Sequence, residues 1–82
     1  MFLPNKYINL KDSMLYQASL VLFKIIKDKK LTLDLIWKKY NEINNEYSYI
    51  YFIYLIEFMY TSNMISYNDK GEIYNENIKF DN

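Results

Sequence analysis

The sequence contains no cysteine, no histidine and no arginine, and holds one glycine and one proline in 82 residues. Each absence excludes a class of chemistry. Without Cys or His there is no thiolate or imidazole for nucleophilic or acid–base work, no redox pair and no disulfide staple. The mixed Cys/His sets that hold zinc are excluded too. Without Arg there is no planar fork to grip phosphates two bonds at a time. A single glycine, Gly71, cannot build a phosphate-cradling loop. The longest apolar run, Tyr49 to Tyr60, is interrupted by Glu57 and falls short of the roughly 20 residues a membrane-spanning helix needs. The first residues, Met1-Phe2-Leu3-Pro4-Asn5-Lys6, lack the charged segment and apolar stretch of a secretory signal, so a cytoplasmic location is expected. Ten carboxylates and ten tyrosines remain. No enzyme, no cofactor and no metal site is expected from them. The pair Glu42/Glu46 falls at a helix end with no apolar pocket to shift a proton affinity, and Asp69 with Glu72 offers too few oxygens for calcium.

What is present is apolar and aromatic. Hydrophobic residues make up 51% and charged residues 24% of the chain, which is the composition of a folded globular domain. At this length one small core is the limit, so residues 1–82 read as a single domain. Asn, Ile, Tyr and Lys supply half the residues, a bias AT-rich coding sequence produces unaided, so individual Tyr and Asn residues carry little weight. The net charge is zero, but residues 1–39 carry eight Lys against Asp12, Asp28 and Asp34, whereas residues 40–82 carry two Lys against seven acids. The chain is basic first and acidic afterwards.

Periodicity predicts a mainly α (α+β) domain. Residues 1–11 read as an extended N-terminal arm, because Pro4 disfavours helix before it and the apolar residues there lack helical spacing. From Ser13 to about Asp28, Leu15, Ala18, Leu22, Ile25 and Ile26 recur at helical steps, with Asp12 or Ser13 as the cap. Lys24, Lys27, Lys29 and Lys30 gather at the C-terminal end, where the helix dipole favours cations. A second helix starts at Leu31–Ile36 with Thr32 as cap, Leu31 and Ile36 as a hydrophobic staple, and Leu33, Ile36, Trp37, Tyr40 and Ile43 facing inward. It stops in Asn41–Asn45. A third, capped by Ser48, runs to about Ser62 and ends at Asn63 in the left-handed conformation. Two short strands, Met64–Tyr67 and Glu72–Tyr74, form a hairpin around Asn68–Gly71. Residues 76–82 read as a polar tail, with Ile78 and Phe80 able to dock. Three helices followed by a two-stranded wing is the order of a winged helix-turn-helix domain.

The third helix is apolar all round, and so small a domain covers only one side of it. On a helical wheel Tyr49, Phe52, Ile53, Leu55, Ile56, Met59 and Tyr60 share the face assigned inward. Ile50, Tyr51, Tyr54, Glu57 and Phe58 share the other, which is the candidate contact surface. DNA is a poor fit: this helix offers none of the Arg, Lys, Asn or Gln side chains that read base edges, and its half of the chain is acidic. A protein fits better. Three partly exposed rings covered by a partner contribute roughly 5–8 kcal/mol at ~25 cal/mol per Å², before association costs. The competing reading is a homodimeric DNA-binding regulator whose lysines, Lys27, Lys29, Lys30, Lys38 and Lys39, contact phosphate in place of the third helix. A self-associating structural protein is the third class.

Along Leu3 to Ile73 the chain resembles the small middle components of bacterial ABC-three-component systems, a group that includes Lamassu-type defence operons. The residues that carry the likeness are the arm Leu3-Pro4-Asn5-Lys6-Tyr7-Ile8 followed by Ser13-Met14-Leu15, the stretch Leu35-Ile36-Trp37, the run from Ser48-Tyr49 through Ile56-Glu57-Phe58-Met59-Tyr60-Thr61-Ser62-Asn63-Met64-Ile65, and the turn Asp69-Lys70-Gly71. Asn63 stands where that family usually has Gly, and Ile50-Tyr51 where it often has Asp-Arg. The resemblance implies an accessory subunit that joins a large SMC/Rad50-type ATPase to an effector, often a nuclease, in defence against phage or plasmids, with catalysis left to those partners. Leu3, Pro4, Lys6, Tyr7 and Ile8 of the arm then join Ile50, Tyr51, Tyr54 and Phe58 as expected partner-binding residues.

Overall fold

The computed structural model describes residues 13–78. The expected arm, with Leu3, Pro4, Lys6, Tyr7 and Ile8, lies outside this range, as does Phe80. Helix α1 spans Met14–Leu20, and Ser13 caps it, its hydroxyl accepting the Tyr16 N–H at 3.1 Å. Instead of continuing as an α-helix to Asp28, the chain runs into a π-helical turn over Val21–Ile26. Val21, Leu22, Ile25 and Ile26 are all buried. The wider i→i−5 winding, seen in the 2.8 Å bond from the Lys27 N–H to the Leu22 carbonyl, brings all four onto the core. Leu15, expected on that inner face, is 58% exposed, and Gln17 takes an inward place.

The π turn ends in a tight reversal. The Lys29 N–H donates to the Ile26 carbonyl at 2.9 Å, and Lys27 sits at φ 54°, ψ −127°. That is the first central position of a type II′ turn, which glycine occupies without a steric penalty and lysine does not. The reversal delivers the chain into β1, Leu31–Thr32, a strand that the sequence reading assigned wholly to the entry of the second helix. Two residues are too few to leave an alternating pattern, so the strand is visible only in its pairing. Leu31 lies opposite Ile73 and Thr32 opposite Glu72. The expected two-stranded hairpin is therefore a three-stranded antiparallel sheet of order β1-β3-β2, with β2 at Ile65–Tyr67 and β3 at Glu72–Asn75.

Helix α2, Leu33–Ile43, begins where Thr32 Oγ1 accepts the Leu35 N–H and Asp34 favours the positive end of the dipole. Helix α3, Tyr49–Thr61, begins where Ser48 Oγ accepts the Tyr51 N–H at 3.1 Å. It ends on Asn63 at φ 62°. The Met64 N–H reaches back to the Met59 carbonyl and the Asn63 N–H to that of Tyr60, the paired bonds of a Schellman cap. Between β2 and β3, Asn68 Oδ1 accepts the N–H groups of Lys70 and Glu72, and Gly71 supplies a φ of 76°.

The core lies between the first helical segment, α2, α3 and the sheet. Phe52, Leu55 and Met59 are fully enclosed by Ala18, Val21 and Ile26 from the first helical segment, Ile36 and Tyr40 from α2, and Ile65 and Ile73 from the sheet. Three helices and a small sheet thus make a mainly helical α+β fold. Among the described residues no helix is long and apolar enough to cross a membrane.

The strained position makes one prediction. Lys27→Gly relieves a conformation that costs of order 1–3 kcal/mol and loses part of that gain to the freer unfolded chain. Urea unfolding is expected to show the variant about 1 kcal/mol more stable than wild type, against the usual cost of placing a glycine. A destabilised Lys27→Gly protein would show that the turn is not of this type.

Candidate interaction surface

The arrangement of α3 decides what the protein can offer to a partner. At about 100° per residue, the buried trio Phe52, Leu55 and Met59 defines the core line, and the line opposite it runs through Ile50, Tyr54, Glu57 and Thr61. Ile50 and Tyr54 are 65% and 59% exposed, and Glu57 and Thr61 are exposed beside them. The other two residues of the expected contact face sit differently. Tyr51 and Phe58 are half-buried and pack against the core, and the Tyr51 ring stacks on Tyr47 at 4.4 Å. The outward line is therefore rotated from the expected one. Tyr49 and Tyr60, expected inside, are partly exposed. A helix that is apolar all round carries almost no amphipathic signal, so its spacing cannot fix which flank is covered.

Covering comes from α2 on one flank. Trp37 meets Tyr49 edge-on at 5.1 Å and Phe52 at 5.2 Å, and Tyr40 lies 5.6 Å from Phe52. These rings lock α2 onto α3 and hold Tyr49 by one edge, leaving Ile50 and Tyr54 standing clear. Toward the sheet, Tyr60 and Tyr67 pack as a tilted pair 5.5 Å apart, and the neighbouring Tyr67 phenol raises that of Tyr60 above its ordinary range. Beneath them a groove of about 310 Å³ opens between α3 and the hairpin. Its floor is Leu33, Ile65 and Ile73, its walls are Ile56, Tyr60 and Tyr67, and Glu57 stands at its mouth.

Other exposed apolar side chains escaped the sequence reading. Leu15 and Phe23 lie on the outer side of the first helical segment, eight residues apart. The lysines considered for phosphate contact, Lys27, Lys29 and Lys30 at the turn and Lys38 and Lys39 on α2, are all exposed. Glu42 and Glu46 are exposed at the end of α2, and among the described residues no group of three or more acidic, His or Cys side chains is placed to hold a metal ion.

One polar cluster lies inside. The Tyr40 hydroxyl donates to Gln17 Oε1 at 2.7 Å, and Asn44 Nδ2 approaches the same oxygen at 3.4 Å. Burial of Tyr40 pushes its phenol well above the ordinary value near 10. This cluster ties α1 to α2, so its role is to hold the frame on which the α3 surface is presented. Buried polar groups are tolerated because they satisfy one another.

The family described as "ABC-three component (ABC-3C) system Middle Component 6" matches residues 3–76. No curated protein and no solved structure matches the chain.

The Gln17–Tyr40 pair carries its own prediction. Tyr40→Phe removes the strongest donor to a buried amide oxygen and is expected to cost about 1–2 kcal/mol in urea unfolding at neutral pH. Because the folded state holds the Tyr40 proton more tightly than the unfolded chain, wild type loses stability as pH rises through about 10 and above. The wild-type slope above pH 10 should exceed that of Tyr40→Phe by up to about 1.4 kcal/mol per pH unit, so the penalty of the substitution shrinks in alkali. Parallel pH profiles would mean the phenol is not held neutral by the fold.

Proposed function

Because the chain belongs to the Middle Component 6 family of ABC-three-component systems, we propose that it is the non-catalytic adaptor of a defence complex, acting in the cytoplasm through protein–protein contacts. The observation that carries this reading is the exposed pair Ile50 and Tyr54 on the side of α3 directly opposite the core, with Tyr60 and Tyr67 also exposed toward the sheet. Exposed large apolar side chains grouped on one helix of a small domain mark an interaction site. Large rings also supply most of the energy in protein interfaces. The partners we infer are an SMC/Rad50-like ATPase and an effector, possibly a nuclease, in a Lamassu-type anti-phage or anti-plasmid system. The adaptor holds the effector against the ATPase and changes that contact when the ATPase meets foreign DNA.

We also read the fold as a winged helix whose usual nucleic-acid face has been turned to protein. The order helix, strand, helix, helix, strand, strand supports this, with β2 and β3 as the wing. Helix α3 carries one charged side chain, Glu57, and no Lys, Asn or Gln. A face of that kind repels phosphate and accepts an apolar partner. The homodimeric regulator reading rests on the exposed lysines of the turn and of α2, which are on a different part of the fold.

The test is co-expression with the products of neighbouring genes, followed by affinity purification. Ile50→Asp combined with Tyr54→Asp changes two exposed positions, so unfolding should stay within about 1 kcal/mol of wild type. Partner binding should weaken about 100-fold or more, as expected when two central apolar anchors are lost. Lys29→Glu with Lys30→Glu should leave retention unchanged. Full retention by the α3 double variant would overturn the adaptor surface. Steeply salt-dependent DNA binding abolished by the lysine variant would favour the regulator.

A further inference from the structure

We propose that the groove between α3 and the hairpin seats a single apolar side chain from a partner protein segment, with a Lys or Arg of that segment beside it. The inference rests on the adaptor reading for the partner's identity as another component of the system. The geometry of the groove supplies the rest. At about 310 Å³ it lies at the lower limit of ligand pockets, which run from about 300 to 1,000 Å³. It therefore suits one side chain rather than a whole helix. Its floor of Leu33, Ile65 and Ile73 belongs to the edge of the core, so an apolar occupant extends the packing already there. Gly71 forms part of the rim, and a Cβ built on it meets nothing within 4 Å, so the groove stays open to solvent on the hairpin side.

Charge selects the occupant. Glu57 borders the groove and Asp69 and Glu72 lie on the adjoining hairpin, with Lys70 as the hairpin's one cation. The lining is apolar, so Glu57 contributes its side-chain stem to the wall, and the residue is exposed. The Glu72 carboxylate is held on the hairpin by the Asn68 amide at 2.9 Å. A phosphate backbone or an anionic lipid surface brings charge of the same sign to this rim, and both are disfavoured. A protein segment with an apolar anchor and a neighbouring cation matches both floor and mouth. Such complementarity gives register and partner choice beyond what the apolar contact provides. Glu57 belongs both to the outward line of α3 and to the border of the groove, so the two surfaces share that residue.

The test uses the full 82-residue chain and three small isosteres, benzylamine, benzyl alcohol and phenylacetate, followed by the methyl resonances of Ile56, Ile65 and Ile73. Benzylamine is expected to shift these methyls saturably and to bind several-fold more tightly than benzyl alcohol, with phenylacetate weakest. Glu57→Gln should remove the preference for the amine and leave the alcohol unaffected. In co-purification, Glu57→Lys with Ile50 and Tyr54 intact should weaken retention of the partner about tenfold or more. No saturable shift, or an order with phenylacetate ahead of the amine, would overturn the assigned chemistry. Undiminished retention by Glu57→Lys would overturn the docking role even if the isosteres bind. If the wild-type chain retains no other component, the adaptor reading fails and takes the proposed occupant with it, while the isostere order still reports the groove alone.

Discussion

The whole structure depends on burying one side of a helix that has no polar side. Phe52, Leu55 and Met59 of α3 are completely enclosed, in one core cluster with side chains from the first helical segment, α2 and the sheet. Over the π turn Val21, Leu22, Ile25 and Ile26 are all buried in that cluster. The ring contacts of Trp37 and Tyr40 fix α2 against it. The sheet closes the remaining end through Ile65 and Ile73. Once these surfaces are used, no element among the described residues is left to cover Ile50 and Tyr54. The exposed line is thus a consequence of size: a domain of this length buries a limited share of its apolar surface.

Locally encoded features were legible in the sequence. Ser13, Thr32 and Ser48 each cap the helix that follows, because an N-cap depends on one side-chain oxygen and the amides two or three residues on. Asn63 and Gly71 adopt positive φ for equally local reasons. Most of the inward faces of α2 and the sheet were also readable, since Ile36, Tyr40, Ile65 and Ile73 sit in patterns with polar residues between them, but Ile43, expected inward, is exposed at the end of α2. Features set by distant partners were not. β1 is two residues long and is defined by its pairing with β3, while Leu15 and Gln17 exchange places because Gln17 finds the Tyr40 hydroxyl across the core. The roll of α3 was hidden because apolar residues surround its axis. Tyr51 and Phe58 came out half-buried while Tyr60 came out exposed, and no spacing argument could separate them.

The same distinction explains why the interaction surface was only partly readable. Ile50, Tyr54 and Glu57 were identified because they oppose Phe52 and Leu55 on any wheel. The groove was missed because it needs residues from α2, α3 and both strands of the hairpin, and three of them, Leu33, Ile65 and Ile73, look like ordinary core in sequence. A site assembled from the edge of a core has no sequence signature of its own. It becomes visible when the elements are in place and one side of the packing is left unfilled.

The separation of charge along the chain has a different meaning in three dimensions. Read linearly, a basic first half and an acidic second half suggest a molecule with a cationic pole able to gather phosphate. The sheet works against this. Leu31 pairs with Ile73 and Thr32 with Glu72 in antiparallel register, so the lysines just before β1 approach the β3 end that leads to Glu76. Opposite charges brought to the same edge offset one another's field at distances larger than their separation, and salt screens what is left beyond roughly 8 Å. The α3 face keeps its sign, because no Lys lies on that helix. Among the described residues, the outward face of α3 is therefore apolar and mildly anionic. An apolar anchor with a neighbouring cation complements such a face, whereas a phosphate backbone brings charge of the same sign to it.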